Sequence, residues 1–455
     1  MTEPSLTRRS LLRQGVAALA TLPLGGSALR AASALAAVRT PGSLPDPSRP
    51  AGTPTPALPF DHLVVVMMEN HSFDNLLGAL SRSGQPNADG LRFDAAGVAL
   101  NSNPGKAGPV RSFPFPSTAQ GSKVSQSWNA THEQIDGGRM DGFVRSTGST
   151  QPMGYWTAAA LPFAYSLART FTVANRWFAS APCQTFPNRR FMMAGTAYGN
   201  VATSVASLRD RPPPNGTIFD RLHAHGISWR NYFSDFPQTG MIPSIVERYP
   251  GHLASVSRFR ADCRSGALPA VSFVDPAFGG IAALAALLAL LPGALGALGR
   301  SVRPAAFGTS EEEPQNMSGG ERWAHSVVEA VLHSPAWPRT LLIYLYDEHG
   351  GYYDHVPPPA AIRPDAIPPA LAPGDAPGGY DIYGPRVPAV VVSPYSKPGA
   401  VSNVVCDHTS VLATIEAKWN LPALTYRDAN AATVADFLDL RQAAFLSPPT
   451  LLAPA

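Results

Sequence analysis

Four continuous apolar runs constrain the fold of this chain more than any other feature of its sequence. They span residues 63–68, 271–274, 341–346 and 387–392. Unbroken apolar runs are typical of strands whose two faces are both covered by helices, as in a parallel sheet. Helix-like stretches separate the runs, for instance at 408–419. The sequence therefore predicts an α/β fold with a mostly parallel central sheet and helices on both faces.

The first 36 residues differ in charge from the rest of the chain. They carry four arginines and one glutamate, which account for the whole formal net charge of +3. Arg8 and Arg9 form a twin-arginine pair, an apolar stretch follows at 15–29, and small residues at 34–36 offer a cleavage site. Residues 1–36 are thus predicted to be a Tat-type signal peptide. We expect a periplasmic, cell-surface or secreted protein.

Composition excludes nucleic acid as a partner. Beyond residue 36 the chain is formally neutral and contains only four lysines, so it has no basic stripe for a phosphate backbone. The three cysteines cannot form a complete disulfide framework. That cysteine count suits a chain that folds in a reducing cytoplasm before it is exported.

Two segments interrupt the regular pattern. Residues 37–59 are rich in proline and predict a linker, so that a single catalytic domain would occupy 60–455. Residues 281–299 are uncharged, and their leucines recur at spacings of three and four. Pro292 argues against a membrane-spanning helix. We interpret the segment as a helix pair that caps the domain, or as a lid that makes peripheral contact with a membrane.

Polar residues follow two of the apolar runs directly. Glu69 and Asn70 come after the first run, and Asp347 and Glu348 come after the third. Ligands bind at the carboxyl ends of parallel strands, and acidic groups that meet there repel one another unless a cation lies between them. Either pair alone could simply cap a turn. Together the two pairs favour a metal site.

Thr185 is a third candidate. Pro187 suits the first turn of a helix, so Thr185 would lie near a helix N-terminus, where backbone amides stabilise negative charge. Threonine is also a common N-cap, which is the plain structural interpretation. The functional interpretation is a nucleophilic hydroxyl. No Gly-x-Ser-x-Gly elbow, zincin helix or P-loop occurs in the sequence.

Several blocks together resemble a known family. The segments are FDHLVVVMMENHSFDNLLG, WNATHEQIDGGRMDGF, TFPNR and LLIYLYDEHGGYYDHVPPP. They resemble the phosphoesterase family that holds bacterial acid phosphatase A and phosphatidylcholine-preferring phospholipases C. The resemblance runs from about residue 60 to 420. It implies an alkaline-phosphatase-like α/β fold and metal-dependent transfer of a phosphoryl group.

The resemblance also implies roles for individual residues. Glu69, Asn70, Asp347 and Glu348 would be metal ligands, and Thr185 would be both the nucleophile and a further ligand. The enzyme would then hydrolyse phosphate esters, which include phospholipids, through a phospho-threonine intermediate.

Histidines and one glutamate complete the candidate site. His132 would contact the phosphoryl group or protonate the leaving oxygen. His349, His355 and His408 are candidates for residues that support the ligands or are purely structural. Glu313 occupies the place of a family histidine, where a carboxylate would repel a dianionic phosphate. We expect either a less charged phosphodiester substrate or weak activity.

The sequence leaves the metal and the substrate open. Oxygen ligands favour Mg²⁺, Ca²⁺ or Mn²⁺, whereas nearby histidines would admit Zn²⁺ or Fe. A chain that stops soon after the catalytic blocks favours a phosphatase-like member, and the apolar 281–299 segment favours a phospholipase C.

The alternative to an enzyme is an exported binding protein that kept the fold and lost catalysis. A sulfatase-like hydrolase is disfavoured. Its nucleophile block has the pattern Cys-x-Pro-x-Arg, which the segment beginning at Cys183 (CQTFP) does not match.

Overall fold

The computed structural model of the chain describes residues 38–279 and 308–455. The predicted signal peptide at 1–36 and the apolar segment at 281–299 lie outside the described residues. Within the described part, eight strands form the central sheet, in the order β12-β6-β11-β10-β1-β9-β7-β8. Two small two-stranded sheets, β2-β3 and β4-β5, lie apart from it.

The strands are numbered in chain order. They are β1 (His62–Met68), β2 (Ser102–Gly105), β3 (Gly108–Arg111), β4 (Phe113–Pro114), β5 (Gly154–Tyr155), β6 (Thr172–Ala174), β7 (Trp229–Phe233), β8 (Leu253–Ser255), β9 (Val271–Asp275), β10 (Thr340–Tyr346), β11 (Ala389–Val392) and β12 (Val401–Ser402).

The helices of the described residues are numbered in the same way. They are α1 (Phe73–Leu77), α2 (Trp128–Ile135), α3 (Phe143–Thr147), α4 (Pro162–Thr170), α5 (Thr185–Ala194), α6 (Ile218–Ala224), α7 (Pro243–Arg248), α8 (Val256–Ser265), α9 (Met317–Leu332), α10 (Thr409–Trp419) and α11 (Tyr426–Ala429). None of them is long and apolar enough to cross a membrane.

The four apolar runs form β1, β9, β10 and β11, as predicted. Strand β1 lies at the centre and pairs in parallel with both β9 and β10. Strand β11 runs antiparallel to β10 and to β6, whereas the remaining pairs in the sheet are parallel. The predicted α/β class with a mostly parallel sheet is therefore confirmed.

Burial on both faces of the sheet explains why apolar and polar residues do not alternate along these runs. Every side chain of β10 and all but the first of β1 are buried. Helix α9 turns an apolar face inward, and Ala324, Val327, Val328 and Val331 on that face are fully buried. The spacing of three and four residues places these side chains on a single helical stripe.

The proline-rich residues 38–59 pack against the body of the protein. Asn420, just after α10, donates hydrogen bonds to the backbone carbonyls of Asp46 at 3.0 Å and Arg49 at 2.8 Å. The Thr55 amide donates to the Lys418 carbonyl at 2.6 Å. Prolines lack an amide donor, and here a side chain satisfies the free carbonyls of such a segment. Residues 39–59 belong to the same compact unit as the rest of the described chain.

The packing of the sheet predicts the effect of a core truncation. Ile343 lies in β10 and is fully buried. Ile343→Ala should lower the free energy of unfolding by ~2–5 kcal/mol, because the lost methylene groups leave a cavity. Urea titration followed by circular dichroism measures this change. The control Val98→Ala removes a side chain that is 47% exposed and should cost less than ~0.5 kcal/mol. Equal losses in the two variants would contradict the central position of β10.

Candidate active site

The register of two strands brings the predicted acidic residues together. Met68 at the end of β1 lies opposite Tyr346 at the end of β10. The next residues of each strand are Glu69 and Asp347, and the Asp347 amide donates to the Met68 carbonyl at 3.2 Å. Glu69, Asn70, Asp347 and Glu348 are all 97% buried or more. Both polar pairs therefore meet at one edge of the sheet, as the sequence predicts.

The Asn70 side chain is the centre of the cluster. One end of its amide lies 2.8 Å from Asp347 Oδ1 and 3.2 Å from Glu348 Oε1. The same end lies 3.3 Å from Thr185 Oγ1. Asn70 has a φ of +85°, a left-handed conformation that asparagine tolerates better than most residues. This backbone turn aims its amide at the neighbouring strand.

The amide can face the carboxylates with either of two atoms. With its nitrogen there, Asn70 donates to both carboxylates. With its oxygen there, amide, hydroxyl and carboxylate oxygens converge, an arrangement that a bound cation would stabilise. An all-oxygen set of this kind fits a hard divalent cation. The residues present thus fit the metal that the sequence predicts.

Thr185 is the first residue of α5 and does not cap it. The N-cap is Gln184, and no side-chain cap hydrogen bond is made there. The Thr185 hydroxyl instead contacts Asn70, although 115 residues separate the two in the chain. The plain N-cap interpretation of Thr185 therefore does not describe its contacts.

Arg189 belongs to the same cluster and was not predicted. Its Nε donates to Asp347 Oδ2 at 3.1 Å, and its Nη2 lies 3.5 Å from Glu69 Oε1. Nη2 also donates to the carbonyls of Met67 and Met68. Arg189 follows Thr185 by four residues, a spacing that places both on one face of α5. That spacing is the signal in the sequence that could have identified it.

The cluster carries more negative than positive charge. Three carboxyl groups, Glu69, Asp347 and Glu348, surround the single guanidinium of Arg189. Burial raises the pKa of Asp347 to about 6, although Arg189 opposes the shift. Burial raises the pKa of Glu69 and of Glu348 as well, and neighbouring carboxylates add to both shifts. A divalent cation would supply the charge that is missing.

Two of the three predicted supporting histidines contact the cluster. His408 Nε2 lies 2.6 Å from the Asp347 carbonyl and donates to it. His349 Nδ1 lies 3.3 Å from Glu348 Oε2, and its Nε2 lies 2.7 Å from Gln134 Oε1. Burial lowers the pKa of His408 to about 4 and that of His349 to about 3. Both rings are therefore neutral and hold the loop after β10 in place.

His132 lies on α2 and contacts Trp128 on the same helix. Its Nδ1 donates to the Trp128 carbonyl at 2.8 Å, and its ring packs on the Trp128 indole with 4.2 Å between centroids. Trp128 in turn packs in a small apolar cluster with Cys183, two residues before Thr185. Among the described residues, His132 makes its hydrogen bond to Trp128 and none to the acidic group. Its Nε2 is left free.

Glu313 is buried, which changes what its carboxyl group can do. Its Oε2 accepts a hydrogen bond from the Val124 amide at 3.4 Å. Burial raises the pKa of Glu313 to about 8. Burial therefore favours the neutral form of this carboxyl group, which would repel phosphate less than a carboxylate does.

His355 lies in a second ionic group rather than beside the cluster. Its Nδ1 lies 2.7 Å from Asp74 Oδ2, and its Nε2 lies 3.2 Å from Asp89 Oδ1. Arg386 binds Asp354 Oδ1 through Nε at 2.8 Å and Asp74 Oδ1 through Nη2 at 3.3 Å.

The second group could be taken for a metal site. Ligand atoms of Asp74, Asp354 and His355 lie within 4.8 Å of one another. However, the fully buried guanidinium of Arg386 already neutralises these carboxylates and would repel an added cation. We assign Asp74, Asp354, His355 and Arg386 to an ion-pair network.

Comparison with known proteins agrees with this geometry. Residues 60–422 match the model of the Phosphoesterase family, and the chain belongs to that family. The resemblance drawn from the sequence motifs is confirmed. The chain is accordingly a hydrolase that acts on phosphoric ester bonds.

Relatives extend the comparison. The chain is 30% identical to non-specific phospholipase C6 of Arabidopsis thaliana, over 83% of this chain and 72% of the relative. It is 29% identical to the non-hemolytic phospholipase C of Burkholderia pseudomallei (strain K96243), over 91% of this chain and 61% of the relative. A solved structure of a protein in the alkaline phosphatase superfamily from Vibrio parahaemolyticus is 11% identical, with a TM-score of 0.35 and coverage of 77% of each chain.

The ion-pair network predicts a pH dependence of stability. Burial lowers the pKa of His355, but Asp74 and Asp354 outweigh that effect and raise it to about 9. An unfolded histidine titrates near ~6.5, so the stabilisation is complete below ~6.5 and is lost as pH rises through about 9. The loss should not exceed ~3 kcal/mol. Urea titrations across this range measure it.

His355→Gln should flatten this part of the stability profile. The matched control is His333→Gln, which changes a histidine whose side chain is 69% exposed. A His355→Gln profile that keeps the slope of the wild type would contradict the assignment of His355 to the network.

Proposed function

We propose that the protein is an exported, metal-dependent phosphoesterase of the phospholipase C type, which cleaves a phosphodiester through a phospho-threonine intermediate. The observation that carries the proposal is the meeting of the Thr185 hydroxyl with the Asn70 amide and the Asp347 and Glu348 carboxylates. The relatives named as phospholipases C support a phospholipid as the substrate.

The residues of the cluster have separate tasks in this proposal. Glu69, Asn70, Thr185, Asp347 and Glu348 hold the divalent cation. The cation, when bound, stabilises negative charge on the phosphoryl oxygens and lowers the pKa of the threonine hydroxyl. Burial of the carboxylates keeps water from weakening these interactions.

Thr185 acts as the nucleophile. In the first step its Oγ1 bonds to phosphorus and loses its proton, while the ester bond breaks and the leaving oxygen gains a proton. In the second step water attacks phosphorus, which releases the phosphate product and returns a proton to Thr185. His132 Nε2 is free to exchange a proton with the leaving oxygen, because Nδ1 is bound to Trp128.

Arg189 positions the cluster without contact to the substrate. Its guanidinium is fully buried and binds Asp347, close to Glu69, through short polar contacts. Two backbone carbonyls at the end of β1 fix its orientation. The carboxylates therefore keep their arrangement through the reaction.

Loss of the nucleophile predicts a specific change in activity. Thr185→Ala should lower kcat on p-nitrophenylphosphorylcholine by ~10³-fold or more, since no hydroxyl remains to attack phosphorus. Asp347→Ala and chelation of metal should abolish activity, and added divalent ions should restore only the chelated wild type. The matched control is Thr450→Ala, an exposed threonine near the C-terminus.

Three outcomes would contradict the proposal. Full activity of Thr185→Ala would exclude Thr185 as the nucleophile. Activity that survives complete removal of metal would exclude the ligand set. A wild type that hydrolyses p-nitrophenyl phosphate but not p-nitrophenylphosphorylcholine would favour an acid phosphatase over a phospholipase C.

Export by the Tat route is part of the proposal. Its support is the twin-arginine pattern at Arg8 and Arg9 and the three free, buried cysteines, which need no oxidising compartment to fold. Replacing both arginines by lysine should retain the protein in the cytoplasm, as measured by fractionation and immunoblotting. Lysine at Arg13 and Arg30 is the control and should leave export unchanged. Unimpaired export of the first variant would exclude the Tat route.

A further inference from the structure

A short segment of residues 122–126 lies across the loop that follows β10. Gly351, three residues after Glu348, has a φ of +78°, and a Cβ there would lie 2.6 Å from both the Ser125 carbonyl oxygen and the Val124 side chain. Gln134 Nε2 donates to the Ser125 carbonyl at 2.9 Å. The segment thus packs directly on Gly351, in the loop after Glu348, and this contact needs glycine at 351.

Lys123 lies in this segment. Its ammonium group forms an ion pair with Glu312, and 52% of its side chain is exposed. Burial lowers the pKa of Lys123, but the carboxylates of Glu312, Glu69 and Glu348 outweigh burial and raise it. Two of those carboxylates, Glu69 and Glu348, belong to the Asn70 cluster. Glu312, its ion-pair partner, follows Ser310 by two residues, and the Ser310 carbonyl accepts a hydrogen bond from the Glu69 amide at 2.9 Å. This contact places the Lys123–Glu312 pair beside the Asn70 cluster, on the side open to solvent.

The two cations near the cluster differ in their freedom to move. Arg189 has a fully buried side chain with fixed hydrogen bonds to Asp347 and to two backbone carbonyls. Lys123 has a flexible four-carbon stem, and Glu312 is the partner of its ammonium group in the described residues. Of the two, Lys123 can turn toward an incoming anion without breaking the packing of the sheet.

We propose that Lys123 binds a non-bridging phosphate oxygen of the substrate, and that Glu312 holds its ammonium group when no substrate is bound. This inference rests on the proposed function, because it places a phosphate ester at the Asn70 cluster. Lys123 would supply positive charge close to the place where the sequence has Glu313 instead of the family histidine. Glu312 competes with phosphate for the same ammonium and so limits the affinity for anions.

Calorimetric titration of inorganic phosphate into the Mn²⁺-loaded protein tests the proposal without requiring turnover. Lys123→Gln should weaken phosphate binding about tenfold, because a charge-assisted hydrogen bond is lost, and Lys123→Arg should recover most of the affinity. Glu312→Gln should tighten binding, because the ammonium is released from its ion pair. Lys106→Gln, in the exposed turn between β2 and β3, is the matched control and should have no effect.

Kinetics then separate this role from the chemical step. With p-nitrophenylphosphorylcholine, Lys123→Gln should raise KM much more than it lowers kcat, and Mn²⁺ affinity measured by electron paramagnetic resonance should stay unchanged. Unaltered phosphate affinity in Lys123→Gln, or an equal loss in Lys106→Gln, would overturn the proposal. If Lys123→Gln did not fold, a failure of Glu312→Gln to tighten phosphate binding would overturn it instead. A wild type that binds phosphate but hydrolyses neither test ester would count against the proposed function and not against Lys123.

Discussion

The burial of three carboxyl groups beside a single guanidinium is the interaction on which the rest of the site depends. Glu69, Asp347 and Glu348 reach this position because β1 and β10 pair in parallel and end at the same level. Taking such charges out of water is costly unless partners compensate them. Arg189 compensates part of the charge, and in the proposed function a divalent cation would compensate the remainder. Helix α5 meets both needs, since it carries Arg189 and Thr185 on one face.

The ion-pair network shows the opposite balance of charge. Asp74 lies in α1, five residues after Glu69, and His355 follows β10 on the same loop as Asp347. Arg386 and His355 neutralise the carboxylates of this network, and it needs no added ion. The segments after β1 and β10 therefore each contribute residues to both groups, the ion-pair network and the Asn70 cluster.

Much of this arrangement could be predicted from the sequence. The apolar runs gave the strands of a mostly parallel sheet, because burial on both faces removes the need for polar side chains. The acidic pairs at two strand ends were expected to meet, and the register brings them together. The packing of the proline-rich segment could not be predicted, because its free carbonyls find a donor only in the folded chain, at Asn420. The ionisation of Glu313 was likewise hidden, since its burial comes from residues distant in the sequence.

The sequence by itself determined the fold class, the family and the types of residue that can bind a metal and attack phosphorus. These follow from the hydrophobic pattern and the short motifs, which are properties of neighbouring residues in the chain. Only the tertiary structure decided which charges are compensated. It placed Arg189 on Asp347, paired His355 with Asp74 and Asp89, and packed the residues next to Lys123 against Gly351. The physical reason is that charge balance in a buried site depends on distances of a few ångströms between side chains that lie on different strands, helices and loops.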